Sequence, residues 1–184
     1  GQIRLNSIDI NRLTYQDLRH SIRTVTQEPF LFSDTVENNI AFAIEDRPED
    51  WQEHFPSLLQ QAALREEVDK FPLQEQTIVG EKGILLSGGQ KQRISLARSM
   101  ATSCDLLILD NVLSAVDYET ERYLLQQIFA RRQAKSLLIV SHRVTAVEKA
   151  DWILVLDEGR IVAQGTHEEL LQQPGYYQEM LALQ

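Results

Sequence analysis

One cysteine, Cys104, stands in 184 residues, and a lone thiol excludes an internal disulfide framework and fits a reducing compartment. Beside the apolar run that follows it, Cys104 reads as a small buried hydrophobe. No apolar run approaches the roughly 18 residues that a membrane-spanning helix needs, and Gly1 opens no signal peptide. If a membrane matters to this chain, another element crosses it. An excess of basic charge is missing too: the net charge of −9 argues against a nucleic-acid-binding surface, whose footprint is normally basic. There are no repeats, low-complexity segments or linker-like runs. What is present is 43% hydrophobic residues over a length that supports one good core, with room for a small appended lobe.

The order of elements gives the fold class. Strands are expected over 2–5, 22–26, 106–109, 137–140, 153–156 and 161–163, and helices over 34–42, 48–63, 65–70, 87–101, 118–131, 145–149, 166–172 and 176–183. Interleaving of this kind is the pattern of an α/β domain with a mostly parallel sheet. The runs at 106–109 and 137–140 are apolar throughout, as expected of strands buried on both faces. Asp157-Glu158-Gly159 between the last two strands reads as a tight hairpin turn. The stretch 34–83 has helical segments and no convincing strand, so it reads as a helical insertion into the α/β body.

Within the run Leu85–Met100, Ser87-Gly88-Gly89-Gln90 stands at the amino end of a long helix. It offers a hydroxyl, two unobstructed backbone amides and a side-chain amide where the helix dipole is positive, which is an anion site suited to a phosphate. In isolation, Ser-Gly-Gly would be an ordinary serine cap followed by a glycine loop. The full string Leu86-Ser87-Gly88-Gly89-Gln90 is more specific, because a given pentapeptide arises by chance in about one chain of this size in twenty thousand.

That string is the LSGGQ signature of the ABC transporter nucleotide-binding domain, and the resemblance continues in order along essentially the whole chain. Leu106–Asp110 resembles the Walker B strand, whose terminal carboxylate, Asp110, holds magnesium. Ser114-Ala115-Val116-Asp117 resembles the D-loop that packs across the dimer interface, and Asp117 also suits a helix N-cap. His142 resembles the switch histidine that contacts the γ-phosphate. Gln27 resembles the Q-loop glutamine, a magnesium ligand, and the segment Glu28–Phe32 after it is the part that senses the transmembrane domain. Thr77–Gly83 resembles the X-loop of the exporter branch, and Gln164–Leu170 the family's GTHEEL tail.

The resemblance implies a partial P-loop NTPase core of mostly parallel α/β type: residues 1–33 and 101–184 as the α/β core, 34–100 as the helical subdomain with the signature helix. It implies an ATPase using ATP and Mg²⁺, partnered by a second nucleotide-binding domain and by a transmembrane domain, at the cytoplasmic face of a bacterial inner membrane, with no nucleic acid. Ser87, Gly88, Gly89 and Gln90 would contact the ATP held by the partner, with Asp117 at the same interface.

Two departures qualify this. No GxxxxGK[ST] occurs in the chain, so the backbone cradle and lysine for the β- and γ-phosphates are missing. In the family that motif precedes a strand like the one opening at Gly1, which places the P-loop strand and helix, the adenine-stacking aromatic and any fused transmembrane domain upstream. Asn111 stands where hydrolytic sites carry the catalytic glutamate, and a carboxamide cannot act as general base. An impaired base with an intact signature suits the degenerate-site subunit of a heterodimeric exporter; an engineered change would look the same. Two alternatives stay open: a soluble ABC ATPase acting in translation or DNA repair, against which the X-loop argues, and an inactive truncated product. Without the phosphate cradle, the 184-residue chain is expected to show no saturable Mg-ATP binding in the micromolar range, and isothermal calorimetry checks this.

Overall fold

The computed structural model describes residues 1–130 and 134–183. They form two compact units, Gly1–Leu138 and Ile139–Gln184. The first begins with a short antiparallel pair, β1 (Arg4–Leu5) and β2 (Ile8–Asp9), joined by Asn6 and Ser7, both at positive φ. Two consecutive left-handed residues give a connection whose twist matches that of paired strands. Helix α1 (Tyr15–Ser21) starts at a capping box, in which Thr14 Oγ1 accepts the Asp17 N–H and the Asp17 carboxylate accepts the Thr14 N–H. It runs directly into β3 (Ile22–Val25).

The helical segment expected after β3 follows: α2 (Val36–Ala41), α3 (Trp51–Gln61), α4 (Arg65–Val68), a 3₁₀ turn at Gln74–Gln76 and α5 (Gly88–Met100). The chain then enters β4 (Cys104–Asp110), α6 (Tyr118–Ala130) and β5 (Ala134–Val140). Arg131, expected to end the helix, lies outside the described residues. The sheet order is β3-β4-β5, with β3 and β4 parallel and Val25 opposite Leu109.

The helical part is knotted together by a buried carboxylate. Glu37 on α2 is 3% exposed and accepts hydrogen bonds from Trp51 Nε1 (2.7 Å), Gln52 Nε2 (2.9 Å), Arg47 Nη1 (3.1 Å) and Gln76 Nε2. A buried carboxylate is tolerated only when its lone pairs are met in this way. Around it Val36, Ile40, Leu59, Leu64, Val68 and Ile94 make the apolar core.

The second unit holds β6 (Ile153–Asp157) and β7 (Arg160–Gly165) as an antiparallel hairpin. Glu158 and Gly159 both have positive φ, which is the tight turn expected from the sequence. Ile153 and Val155 pack with Val144, Leu170 and Tyr177, the last two carried by α7 (His167–Leu171) and α8 (Tyr176–Ala182). The GTHEEL stretch has a structural task here: Thr166 and Glu169 form the capping box that starts α7. The helix expected over 145–149 is only a 3₁₀ turn, Val144–Ala146.

Burial corrects two expectations. Cys104 is half-buried, not fully buried; what burial it has pushes its thiol pKa up. The two apolar strands are not buried on both faces. In β4 Leu107 and Leu109 share one buried face while Leu106 and Ile108 on the other are half-buried, and Leu138 of β5 is 50% exposed, so each strand has a face that the described residues do not fully cover. In the second unit Leu154, Leu156, Ile161 and Val162 are likewise exposed. Contiguous apolar surface of this kind attracts other apolar groups. The chain is expected to enhance the fluorescence of a hydrophobic dye, and Leu154→Lys with Leu156→Lys to reduce that signal; equal fluorescence from both proteins would contradict this account of the hairpin.

Candidate functional site

Ser87 caps α5 and is itself capped. Its Oγ accepts the Gln90 N–H (3.2 Å), and Gln90 Oε1 accepts the Ser87 N–H (2.8 Å). The box fixes the angle at which the loop enters the helix and leaves first-turn amides without intrahelical partners. Ser87 and Gly88 are exposed, and Gly89 is buried.

The two glycines serve different ends. A Cβ on Gly89 would lie 2.7 Å from the Ala115 carbonyl oxygen, a contact that side chains do not make, so a glycine there is a packing requirement. A Cβ on Gly88 would meet nothing closer than Ala115 Cβ at 3.8 Å. Nothing in this chain demands glycine at position 88, and it opens onto the surface.

The backbone behind Gly89 is the turn leading from β4 to α6. Asn111 takes a left-handed φ of 50°, a conformation asparagine adopts more readily than most residues. Its carbonyl accepts the Ser114 Oγ–H at 2.9 Å. Asp117 accepts the Thr120 N–H (2.9 Å) and Oγ1–H (2.7 Å), capping α6, and these bonds hold its carboxyl below the usual carboxylate range. Ala115, within the segment read as the D-loop, stands against Gly89, while Asp117 caps its own helix.

Gln27 and Asp110 lie at the same edge of the sheet for a topological reason. Parallel pairing sets Val25 opposite Leu109, so Asp110, Asn111 and Gln27 all follow the carboxyl ends of adjacent strands. Ligands of open α/β sheets bind at that edge. Gln27 and Asp110 are both exposed, and they supply an amide and a carboxylate oxygen, the hard donors that magnesium takes beside phosphate and water. Among the described residues no group of three or more His, Cys, Asp or Glu gathers at one point, so a metal here would draw further ligands from a nucleotide. His142 belongs to the second unit, two residues beyond β5, where Ser141 Oγ accepts the Arg143 N–H at 2.9 Å.

The segment read as the X-loop is stitched to the chain just after the segment read as the Q-loop. Val79 N–H donates to Asp34 O (2.9 Å) and Val36 N–H to Thr77 O (3.1 Å). Gly80, at φ 87°, has Phe32 O 2.8 Å from where a Cβ would sit, and at Gly83 Ile78 O would be 2.1 Å away. Both X-loop glycines are thus backbone contacts. Phe32 stacks on Phe42 (4.3 Å) and meets Phe30 edge-on (5.1 Å).

Sequence reasoning missed the side chains that hold this assembly. Arg98 on α5 donates to Asn39 O (2.7 Å), Asn39 Oδ1 (3.0 Å) and Phe30 O (3.1 Å), and lies 5.7 Å from the rings of Phe32 and Phe42. Burial pulls its pKa down from the usual arginine value. Asn39 in turn accepts the Phe32 N–H (2.9 Å). Arg93 reaches both carboxylate oxygens of Glu67 (2.8 and 2.9 Å). The available signal was that α5 carries Arg93 and Arg98 and no acidic residue, so a carboxylate partner for either lies on another element.

Residues 1–114 match the ABC transporter family profile. The chain belongs to the ABC transporter family. It is 40% identical over its whole length to the multidrug resistance-like ATP-binding protein MdlA of Escherichia coli K12, covering 31% of that protein. It is 41% identical over its whole length to the ATP-dependent lipid A-core flippase of Pseudomonas putida KT2440, covering 30% of it. Among solved structures, a bacterial Atm1-family ABC exporter with ATP bound superposes with a TM-score of 0.90 at 34% identity, over all of this chain and 32% of the other. The chain thus spans about a third of the length of the ABC proteins it matches, and its α/β fold is that of an ABC exporter ATPase domain. No described helix is long and apolar enough to cross a membrane.

The contrast between Gly88 and Gly89 can be measured. Gly89→Ala must displace the Ala115 backbone and is expected to cost about 1–3 kcal/mol of folding stability. Gly88→Ala is expected to stay within about 1 kcal/mol of the parent, in the stabilising direction. Urea unfolding of the two variants checks the order.

Proposed function

We propose that this chain is the carboxy-terminal part of the ATPase domain of an ABC exporter subunit, and that its signature loop completes the ATP site of a second nucleotide-binding domain. The observation that carries this is Gly88. Its backbone is helical, it faces the surface, and the nearest atom to a side chain placed there is 3.8 Å away. The fold gives no reason for a glycine at that point, so the space is kept for something that arrives from outside. Next to it stand the Ser87 hydroxyl and the positive end of a 13-residue helix, which favour an anion.

In this reading Ser87, Gly88, Gly89 and Gln90 meet the γ-phosphate side of the ATP carried by the partner. Asp110 and Gln27 would hold the magnesium of this chain's own site, and His142 would contact its γ-phosphate. When bound, magnesium neutralises charge on the phosphates and orients them. The chain's own part at that edge is to present two oxygen donors from adjacent strands and to exclude a general base. Asn111 can orient a water through its carboxamide but cannot take its proton at neutral pH. Hydrolysis at this site is therefore slow, and the subunit serves as the degenerate half of a heterodimer, with Asp117 and its loop at the interface.

The exposed aromatic cluster of Phe30 and Phe42, 68% and 62% exposed, is the face that meets the transmembrane domain. It is anchored through Arg98 to the signature helix, so a shift at one is felt at the other. The relatives, a lipid A-core flippase and a multidrug resistance-like ATP-binding protein, favour ATP-driven export at the cytoplasmic face of a bacterial inner membrane over a soluble role.

In the full-length heterodimer, Ser87→Arg is expected to lower ATPase turnover by ~10²-fold or more, the loss seen when a transition-state donor is removed. Ser87→Ala, which loses the cap without adding bulk, should lose less. Asn111→Glu should change turnover only modestly, since the partner's site already works. Full turnover by Ser87→Arg would end the reading of this chain as the signature-donating subunit.

A further inference from the structure

Gln92 has no part in the function proposed above, although it lies in the same helix. It is 4% exposed, and its Nε2 donates to the main-chain carbonyl of Gln27 at 3.1 Å. That contact fixes which way the carboxamide points, because the reverse orientation would set two oxygens against each other. Its Oε1 is buried and meets no donor. A buried amide with half of its bonding capacity unmet is a cost to the fold. A methionine would fill the same space without that cost. Burial therefore gives glutamine no advantage at position 92, and the bond to Gln27 is what distinguishes it.

The loop beyond β3 is pinned at three points: Gln27 O by Gln92, Phe30 O by Arg98 and Phe32 N–H by Asn39. Two of the three pins come from α5. Gln92 is five positions after Ser87, about one and a half turns along the same helix. We infer that Gln92 is a positioning residue that fastens the Gln27 end of this loop to the signature helix, so that Gln27 and the Ser87–Gln90 loop move as one piece. If Gln27 holds magnesium, which rests on the function proposed above, Gln92 sets the metal-facing side chain of one ATP site from the helix that serves the other. The tie itself does not depend on that function.

The tie is tested first in the 184-residue chain by nuclear magnetic resonance. In the parent, a Gln92 side-chain amide proton should show scalar coupling across the hydrogen bond to the Gln27 carbonyl carbon; absence of that coupling overturns the inference without any variant being made. In Gln92→Met the backbone order parameters of Gln27 and Glu28 should fall from about 0.85 to below about 0.6, while those of Ile94–Ala97 stay unchanged. Equal order in both proteins, or a uniform loss along α5, would mean that Gln92 only fills space. The second arm is the full-length transporter. There Gln92→Met should raise, by roughly tenfold or more, the magnesium concentration at which this subunit's own site half-fills with ATP, as loss of a ligand-orienting contact does, with ATP affinity at saturating magnesium little changed. A loosened loop with an unchanged magnesium requirement would remove the metal role from Gln27, and an intact loop would remove the positioning role from Gln92.

Discussion

Helix α5 is buried on nearly every side and still carries Gln92, Arg93 and Arg98, and the rest of the first unit is arranged around meeting their needs. A polar group taken from water must find a partner inside the protein. Gln92 finds the Gln27 carbonyl, Arg93 the Glu67 carboxylate, and Arg98 the carbonyls of Phe30 and Asn39. These partners lie on three segments: the loop after β3, α4 and α2. One helix therefore sets the positions of the strand-end loop, the helical segment and the aromatic face together. An all-apolar helix would pack as tightly but would fix none of these registers, since hydrophobic contact is not directional.

Glycines do the complementary work, allowing backbones to approach where the polar side chains pull them together. Gly80 and Gly83 let the 77–83 segment lie on the chain near Phe32 and close on itself, and Gly89 lets the α5 terminus rest on the Ala115 carbonyl. With these three accounted for by packing, Gly88 stands out as the one in the loop that packing leaves unexplained. The same geometric test thus separates glycines that packing requires from one that it does not.

Much of the architecture was legible in the residues. The apolar strands, the helices after Ser87 and Thr166 and the turn at Glu158-Gly159 follow from local rules that act within a few positions of the chain. Helix α1 was legible too, since Thr14 and Asp17 have capping-box spacing, but its mixed polar sequence offers no apolar stripe and no strand pattern, and it passed unread. The pair β1 and β2 is two residues a side, too short for alternation to register. Burial of the two apolar strands was misjudged because an apolar run reports what a strand would prefer and says nothing about how many neighbours it has.

The sequence by itself determined the chemistry on offer: a cap and two glycines at a helix start, a carboxylate at a strand end with a carboxamide after it, and no lysine-bearing phosphate loop among these residues. These are properties of residue type and short spacing, and no fold can change them. Tertiary structure decided which of these groups share a place. Parallel register put Gln27 and Asp110 at the same edge of the sheet across more than 80 intervening residues, and the β4–α6 turn put Ala115 behind Gly89. It also decided that Gln92 and Arg98 would be fasteners instead of surface charge and polarity. Those assignments depend on contacts between segments distant in the chain, and hydrogen-bond partners at that separation leave no periodicity for a sequence to show.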